Sequence, residues 1–239
     1  MSDVEISYKG NTITSLNDSG TKVLTTAGKY CEGDITVGYT KPAGGDPYDI
    51  MLKYSNNTLE FFKTNEIMTS GPNFNSKSNL KYFSAKNLTG GTPNGMFYGC
   101  RAVVYVNFGL VSNFHYLTMN NGPTRGMVIV INSSSVPTTS SAVSGFNTNS
   151  LIFVRDSLVQ TFKNDTNWTA VANQIFGYGD EIIRIPYDPT GSYSIGNWVI
   201  YNNKFYCYCY EGLTTITGHA PTGTTEDNEY WEYINDLGA

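Results

Sequence analysis

The sequence predicts a mainly β protein in three parts, with a solenoid of stacked coils at its centre, and three observations carry that prediction. Five short apolar strands recur at nearly constant spacing: Leu59-Glu60-Phe61-Phe62, Leu80-Lys81-Tyr82-Phe83, Val103-Val104-Tyr105-Val106, Val128-Ile129-Val130-Ile131 and Leu151-Ile152-Phe153-Val154. Their interval of roughly 21 to 25 residues is that of a leucine-rich-type coil, a unit too small to bury its own apolar face without stacked neighbours. Composition agrees: among 239 residues only 15% are charged, while 24 Gly and 18 Tyr describe turn-dense, aromatic β structure. Punctuation then divides the chain into residues 1–45, 48–178 and 187–239.

Charge and hydropathy exclude several classes of partner. A net charge of −5 gives no basic footprint for nucleic acid and disfavours anionic membrane surfaces. No apolar run approaches the roughly 18 residues of a membrane span. The opening Met1-Ser2-Asp3-Val4-Glu5 is acidic and lacks the regions of a signal peptide. A protein made in the cytoplasm is expected, one that, if it acts outside a cell, leaves by another route such as lysis or assembly into a particle.

The first part reads as strand-turn-strand over Ile6-Ser7-Tyr8 and Thr12-Ile13, with further strands at Thr21 to Leu24 and at Asp34-Ile35-Thr36-Val37. The turn-rich Lys41-Pro42-Ala43-Gly44-Gly45-Asp46-Pro47 ends it. So short a piece buries little surface and is expected to gain stability from copies of itself or a partner. The phrase Gly20-Thr21-Lys22-Val23-Leu24-Thr25-Thr26-Ala27-Gly28-Lys29-Tyr30-Cys31, followed by Asp34-Ile35-Thr36-Val37, resembles a short module of bacteriophage and prophage tail proteins. The resemblance implies docking to other virion or tail proteins, and a homo-oligomer, a trimer by analogy with tail fibres.

In the second part, Met96-Phe97-Tyr98-Gly99-Cys100 before the strand at Val103 resembles the repeat element of BspA-type leucine-rich repeats in bacterial surface proteins. That implies an irregular leucine-rich-repeat-like solenoid with Phe97 and Cys100 pointing into the coil. Two helices are expected to close the stack. Asp156 is placed to cap one carrying Leu158, Val159 and Phe162, with Lys163 in its last turn. Asn167 is placed to cap another, in which Trp168, Val171, Ala172 and Ile175 share a face. The run from Leu151 to Ile175 also resembles the ending of repeats in phage tail proteins, with Arg155 where those have Pro.

The third part is small and aromatic. Its skeleton of Tyr193, Gly196-Asn197-Trp198-Val199, Tyr201-Asn202-Asn203-Lys204-Phe205-Tyr206, Gly212, Pro221 and Trp231-Glu232 resembles the chitin-binding-type carbohydrate-binding modules of bacterial chitinases and phage tail proteins. Asn202-Asn203 suits a tight hairpin turn. Strand alternation puts Phe205, Cys207 and Cys209 on one face and Tyr206, Tyr208 and Tyr210 on the other, those rings about 6.6 Å apart from a rise of about 3.3 Å per residue. Such a row, with Trp198 and Trp231 beside it, offers stacking surfaces for sugar rings. The competing reading is that these aromatics pack the core of a module with little else to bury.

Candidates for catalysis are weak. His115 and His219 lie in separate loops, which makes a histidine relay or a three-histidine metal site improbable. Asp180-Glu181 and Glu226-Asp227 read as solvated turn charges without the apolar pocket that tunes a glycosidase acid. Cys31, Cys100, Cys207 and Cys209 include no metal-binding pair, and residues two apart on one strand seldom form an unstrained disulfide, so buried thiols are expected. No catalytic residue, metal or cofactor is therefore assigned. The expected function is non-enzymatic: a phage tail-associated protein that attaches the virion to host surface polysaccharide through Trp198, Tyr206, Tyr208, Tyr210 and Trp231. The alternatives are a purely structural virion component and a bacterial cell-surface adhesin, with an accessory part of a glycan-degrading enzyme less favoured.

Overall fold

A computed structural model describes the backbone of the strands between residues 5 and 64, and both backbone and side chains at residues 60–63, 67–210, 219–228 and 230–237. In chain order the strands are β1 (Glu5–Tyr8), β2 (Asn11–Ile13), β3 (Gly20–Leu24), β4 (Gly28–Glu32), β5 (Ile35–Tyr39), β6 (Ile50–Ser55), β7 (Thr58–Thr64), β8 (Met68–Ser70) and β9 (Tyr82–Ala85). There follow β10 (Leu88–Gly91), β11 (Tyr105–Asn107), β12 (Val128–Ile131), β13 (Leu151–Val154), β14 (Ile175–Gly177), β15 (Trp198–Tyr201), β16 (Lys204–Tyr208) and β17 (Trp231–Asp236). The protein is mainly β, with only short helices.

The largest sheet has eight strands in the order β14-β13-β12-β11-β9-β7-β6-β3. From β7 to β14 every pairing is parallel, and the registers align Phe62, Phe83, Val106, Ile129, Ile152 and Ile175 on one line across the sheet. From β9 onward successive strands recur every 23 residues, after a first interval of 21 between β7 and β9, and 23 is also the separation at which Met127 N–H donates to Ser150 Oγ of the next turn of chain. The intervening segments return over a second parallel edge formed by β8 and β10 and continued by bridges from Gly91 to Asn113 and from Asn113 to Thr138. Polar side chains tie this edge between turns, as where the Thr92 and Thr118 hydroxyls meet at 2.6 Å.

Between the two edges lies a continuous apolar core. Phe62, Phe74, Phe83, Phe97, Phe108, Phe114 and Trp168 form a chain of ring contacts with centroids 5.1 to 6.0 Å apart, mostly edge to face. Phe97 and Cys100 both point into it, and the Cys100 thiol donates to the Phe74 carbonyl. Because β9 and β12 are buried at every position, their residues form apolar runs rather than alternating patterns.

The far end closes with a one-turn 3-10 helix at Asp156–Leu158, the helix α1 (Val159–Asn164) and a second 3-10 helix at Thr169–Gln174, which place Phe162, Trp168 and Val171 against the core. Neither expected cap forms. The Asp156 carboxylate instead accepts from Gly179 N–H at 2.8 Å, tying the helical end to the chain leaving β14. Asn167 is not a cap either; its own N–H donates to Asp165, which organises that turn. Lys163 lies in the last turn of α1, as expected.

Near the N-terminus, β2-β1-β4-β5 make a four-stranded antiparallel sheet, while β3 leaves it and pairs with β6 at the edge of the large sheet. Side chains of the phage-tail-like phrase lie outside the described residues, as does the whole of the linker at 41–47.

At the other end of the chain, β15-β16-β17 form an antiparallel sheet joined by the Asn202-Asn203 turn, both residues having positive φ, as a tight hairpin requires. This sheet lies flat on the outer face of the parallel strands. Phe205, Cys207, Cys209 and Ile234 pack onto Phe61, Tyr82, Tyr105, Val128, Val130, Phe153 and Tyr178 to make a second core. The C-terminal part is therefore an outer layer on the stack and not a detached reader, because the stack's outward face is itself apolar and must be covered.

Candidate functional site

The joint between these layers is polar at its centre. Glu232 on β17 is fully buried, and its carboxylate accepts from four side chains of the stack's outer face. Tyr82 and Ser84 make short hydrogen bonds, Tyr105 Oη lies at 3.0 Å and Asn107 Nδ2 at 3.2 Å. Strand register explains the convergence: Tyr82 pairs with Tyr105 and Ser84 with Asn107, so all four point outward as a square. Burial first, and then the Glu232 carboxylate, raises the Tyr82 hydroxyl well above the usual phenol range, so it stays a donor. Burial, Cys207 and Glu232 do the same for Tyr105.

Beside it Asp227 pairs with Lys63 at 2.8 Å and also with Lys86. The expectation that Glu226-Asp227 is a solvated pair holds only for Glu226, since the Asp227 side chain is 3% exposed. Burial opposes ionisation of Asp227, but Lys63 and Lys86 outweigh it and hold the carboxyl well below its usual range. Asp180, by contrast, caps a 3-10 turn by accepting from Ile182 N–H at 3.1 Å.

The residues expected to read sugar separate into two groups. Tyr206, Tyr208 and Trp231 are fully buried and form a third core with Tyr193 and Val199. Trp231 meets Tyr208 edge-on at 5.1 Å and donates from Nε1 to the His219 carbonyl at 2.8 Å. Tyr206 donates to the Thr224 carbonyl. Tyr210 is half-buried against Tyr230. An open row of three tyrosines is thus not what this strand presents: both faces of β16 are covered, one by the stack and the other by the 187–193 and 219–231 segments. Among the described residues the module fills this outer core mainly with aromatic rings, Val199 being its aliphatic member.

Trp198 behaves differently. Its ring packs edge-on against Phe153 at 5.4 Å and its Nε1 donates to the Ile183 carbonyl at 2.8 Å, which fixes its orientation while leaving it half-buried. It lines a groove of about 380 Å³ along the seam, together with Leu151, Ile195 and the exposed Asn149 and Asn197. Gly196 makes the close approach possible. Its φ of +86° is one that side chains rarely adopt, and a Cβ there would lie 3.1 Å from the Val104 carbonyl oxygen. Val104 also lines a second hollow of about 430 Å³ bounded by Ser78, Lys81, Arg101, Thr124 and Arg125. An aromatic ring, two amides and a cationic end, all on rigid elements, suit an elongated polar ligand with apolar faces.

The sequence singled out Trp198 but not the residues that line the hollows beside it. Asn149, Arg101 and Arg125 lie in turns of the stack, distant in sequence from the module that resembled a sugar binder. The 23-residue period was the available signal, since it places the same turn of each coil on one edge. No family model matches the chain, and neither the curated proteins nor the solved structures include one similar to it.

Proposed function

We propose that this chain is a non-enzymatic attachment protein that binds glycan in the seam groove at Trp198. In this reading the parallel stack is an irregular leucine-rich-repeat-like solenoid, and the layer laid on it is carbohydrate-binding-like. The observation that carries the proposal is the half-buried Trp198 ring, held by Phe153 and Ile183 beside the amides of Asn149 and Asn197. A sugar offers apolar C–H faces to such a ring and hydroxyls to such amides. Among the described residues no carboxylate or imidazole lines the groove, so none of its lining side chains is a ready general acid or base. The tail-like phrase at residues 20–37 supports placement on a phage tail, where many copies raise weak single-site affinity. Tyr206, Tyr208 and Trp231 then act by supporting the layer and not by touching ligand.

The test applies the full chain to an array of bacterial surface polysaccharides. Retention is expected, with loss of about tenfold or more in affinity for Trp198→Ala and a smaller loss for Asn149→Ala, whose exposed side chain costs little stability when removed. Retention unaffected by both substitutions would remove the groove from consideration, and release of reducing ends would make the protein an enzyme.

A further inference from the structure

Arg101 and Arg125 stand exposed at the second hollow, and among the described residues neither guanidinium meets a carboxylate. They occupy the turns that lead into successive parallel strands. Val104 N–H donates to the Lys81 carbonyl at 2.9 Å, and Val128 N–H donates to the Val104 carbonyl at 3.0 Å, so these turns stack directly. Neighbouring coils lie about 4.8 Å apart, a spacing at which both side chains can reach one anion. Lys81 completes the cluster but is engaged by Glu60 at 3.5 Å, so the excess positive charge belongs to the arginines. The hydroxyls of Ser78 and Thr124 line the same hollow and can donate to an oxyanion. This local reversal of sign occurs on a chain of net charge −5, where scattered surface charge would average negative.

We propose that this hollow takes the anionic group of an acidic polysaccharide, a uronate carboxylate or a bridging phosphate, whose neighbouring sugar runs past Val104 to Trp198. The inference rests on the reading of the Trp198 groove as a glycan site and adds its ligand class. A guanidinium fork matches the paired oxygens of either anion, and two forks from adjacent coils select charge as well as shape. Val104 lines both hollows, which sets the charged end beside the aromatic end.

The experiment titrates the full chain with polygalacturonate, polyglycerol phosphate, neutral dextran and single-stranded DNA at low and high salt. At least one acidic glycan is expected to bind about tenfold more tightly than dextran at low salt, the gap shrinking as salt rises. The tighter of the two acidic chains names the source of the anion. In the double variant Arg101→Gln and Arg125→Gln that gap should close without a change in melting temperature, because both side chains are exposed. Equal affinity of the native chain for acidic and neutral glycans, or an unchanged gap in the double variant, overturns the inference while leaving the Trp198 groove standing. Acidic binding that survives Trp198→Ala undiminished overturns the groove reading and leaves an anion site. DNA binding as tight as that of the acidic glycans overturns the assignment to polysaccharide, and binding to none of the four overturns both.

Discussion

Asp227 condenses the residue-scale physics of this protein. A buried carboxylate survives only when its charge is matched, and here Lys63 and Lys86 match it from the strand-and-turn face of the stack. Its pKa is depressed in the folded state, so the unfolded chain binds the extra proton. The contribution is fully present above the unfolded value of about 3.9 and is lost as pH falls further. Asp227→Asn should therefore cost about 3 kcal/mol at neutral pH by stranding Lys63. It should also flatten the decline of Tm below about pH 4, which calorimetry across pH 2 to 7 would register. A variant as acid-labile as the native chain would show that the pair contributes nothing. Sequence offered no route to this pairing: Asp227 sits among Thr, Glu and Asn residues that look like any solvated turn, and its partners lie more than a hundred residues away.

At the element scale, the parallel strands were legible because each had to be apolar throughout. Their outer face carries Tyr82, Tyr105 and Phe153 and their inner face Phe83, Val106 and Ile152, and such runs stand out from polar returns. Tight stacking of the coils leaves its mark on Gly109, whose φ is +56° and where a Cβ would fall 2.1 Å from the Lys86 carbonyl oxygen of the preceding coil. Gly109→Ala is expected to destabilise by about 2 kcal/mol or more, since strain and backbone collision add. Urea denaturation would measure it, and a loss under about 0.5 kcal/mol, the range of neutral surface changes, would mean the coils are looser than described. The helix caps were less legible. Asp156 and Asn167 have the right residue types, but Gly179 competes for the first and Asp165 supplies the turn at the second.

Across the whole molecule, the C-terminal sheet and the stack share a core, so neither is complete alone. Removing residues 187–239 would expose Tyr82, Tyr105, Val128 and Phe153 together with the donors that Glu232 satisfies. The truncated chain should aggregate or lose its sharp melting transition, whereas the full chain should melt residues 60–237 as one cooperative unit. Two separate calorimetric transitions for those layers, or a well-behaved truncated stack, would show the joint to be weak. Glu232 is the sequence-level surprise here. It follows Trp231 in a skeleton that resembles a sugar-binding module, yet it faces the stack.

Periodicity and alternation are local, and they determined what local rules can: the repeating parallel strands, the hairpin at Asn202-Asn203, and the sorting of Phe205, Cys207 and Cys209 from Tyr206, Tyr208 and Tyr210. Which of those two faces meets water is not local. The tertiary structure decided that neither is open to water along its length, because the stack's apolar exterior claims one and the module's own loops cover Tyr206 and Tyr208 on the other, while Trp198 stays half-buried at the seam.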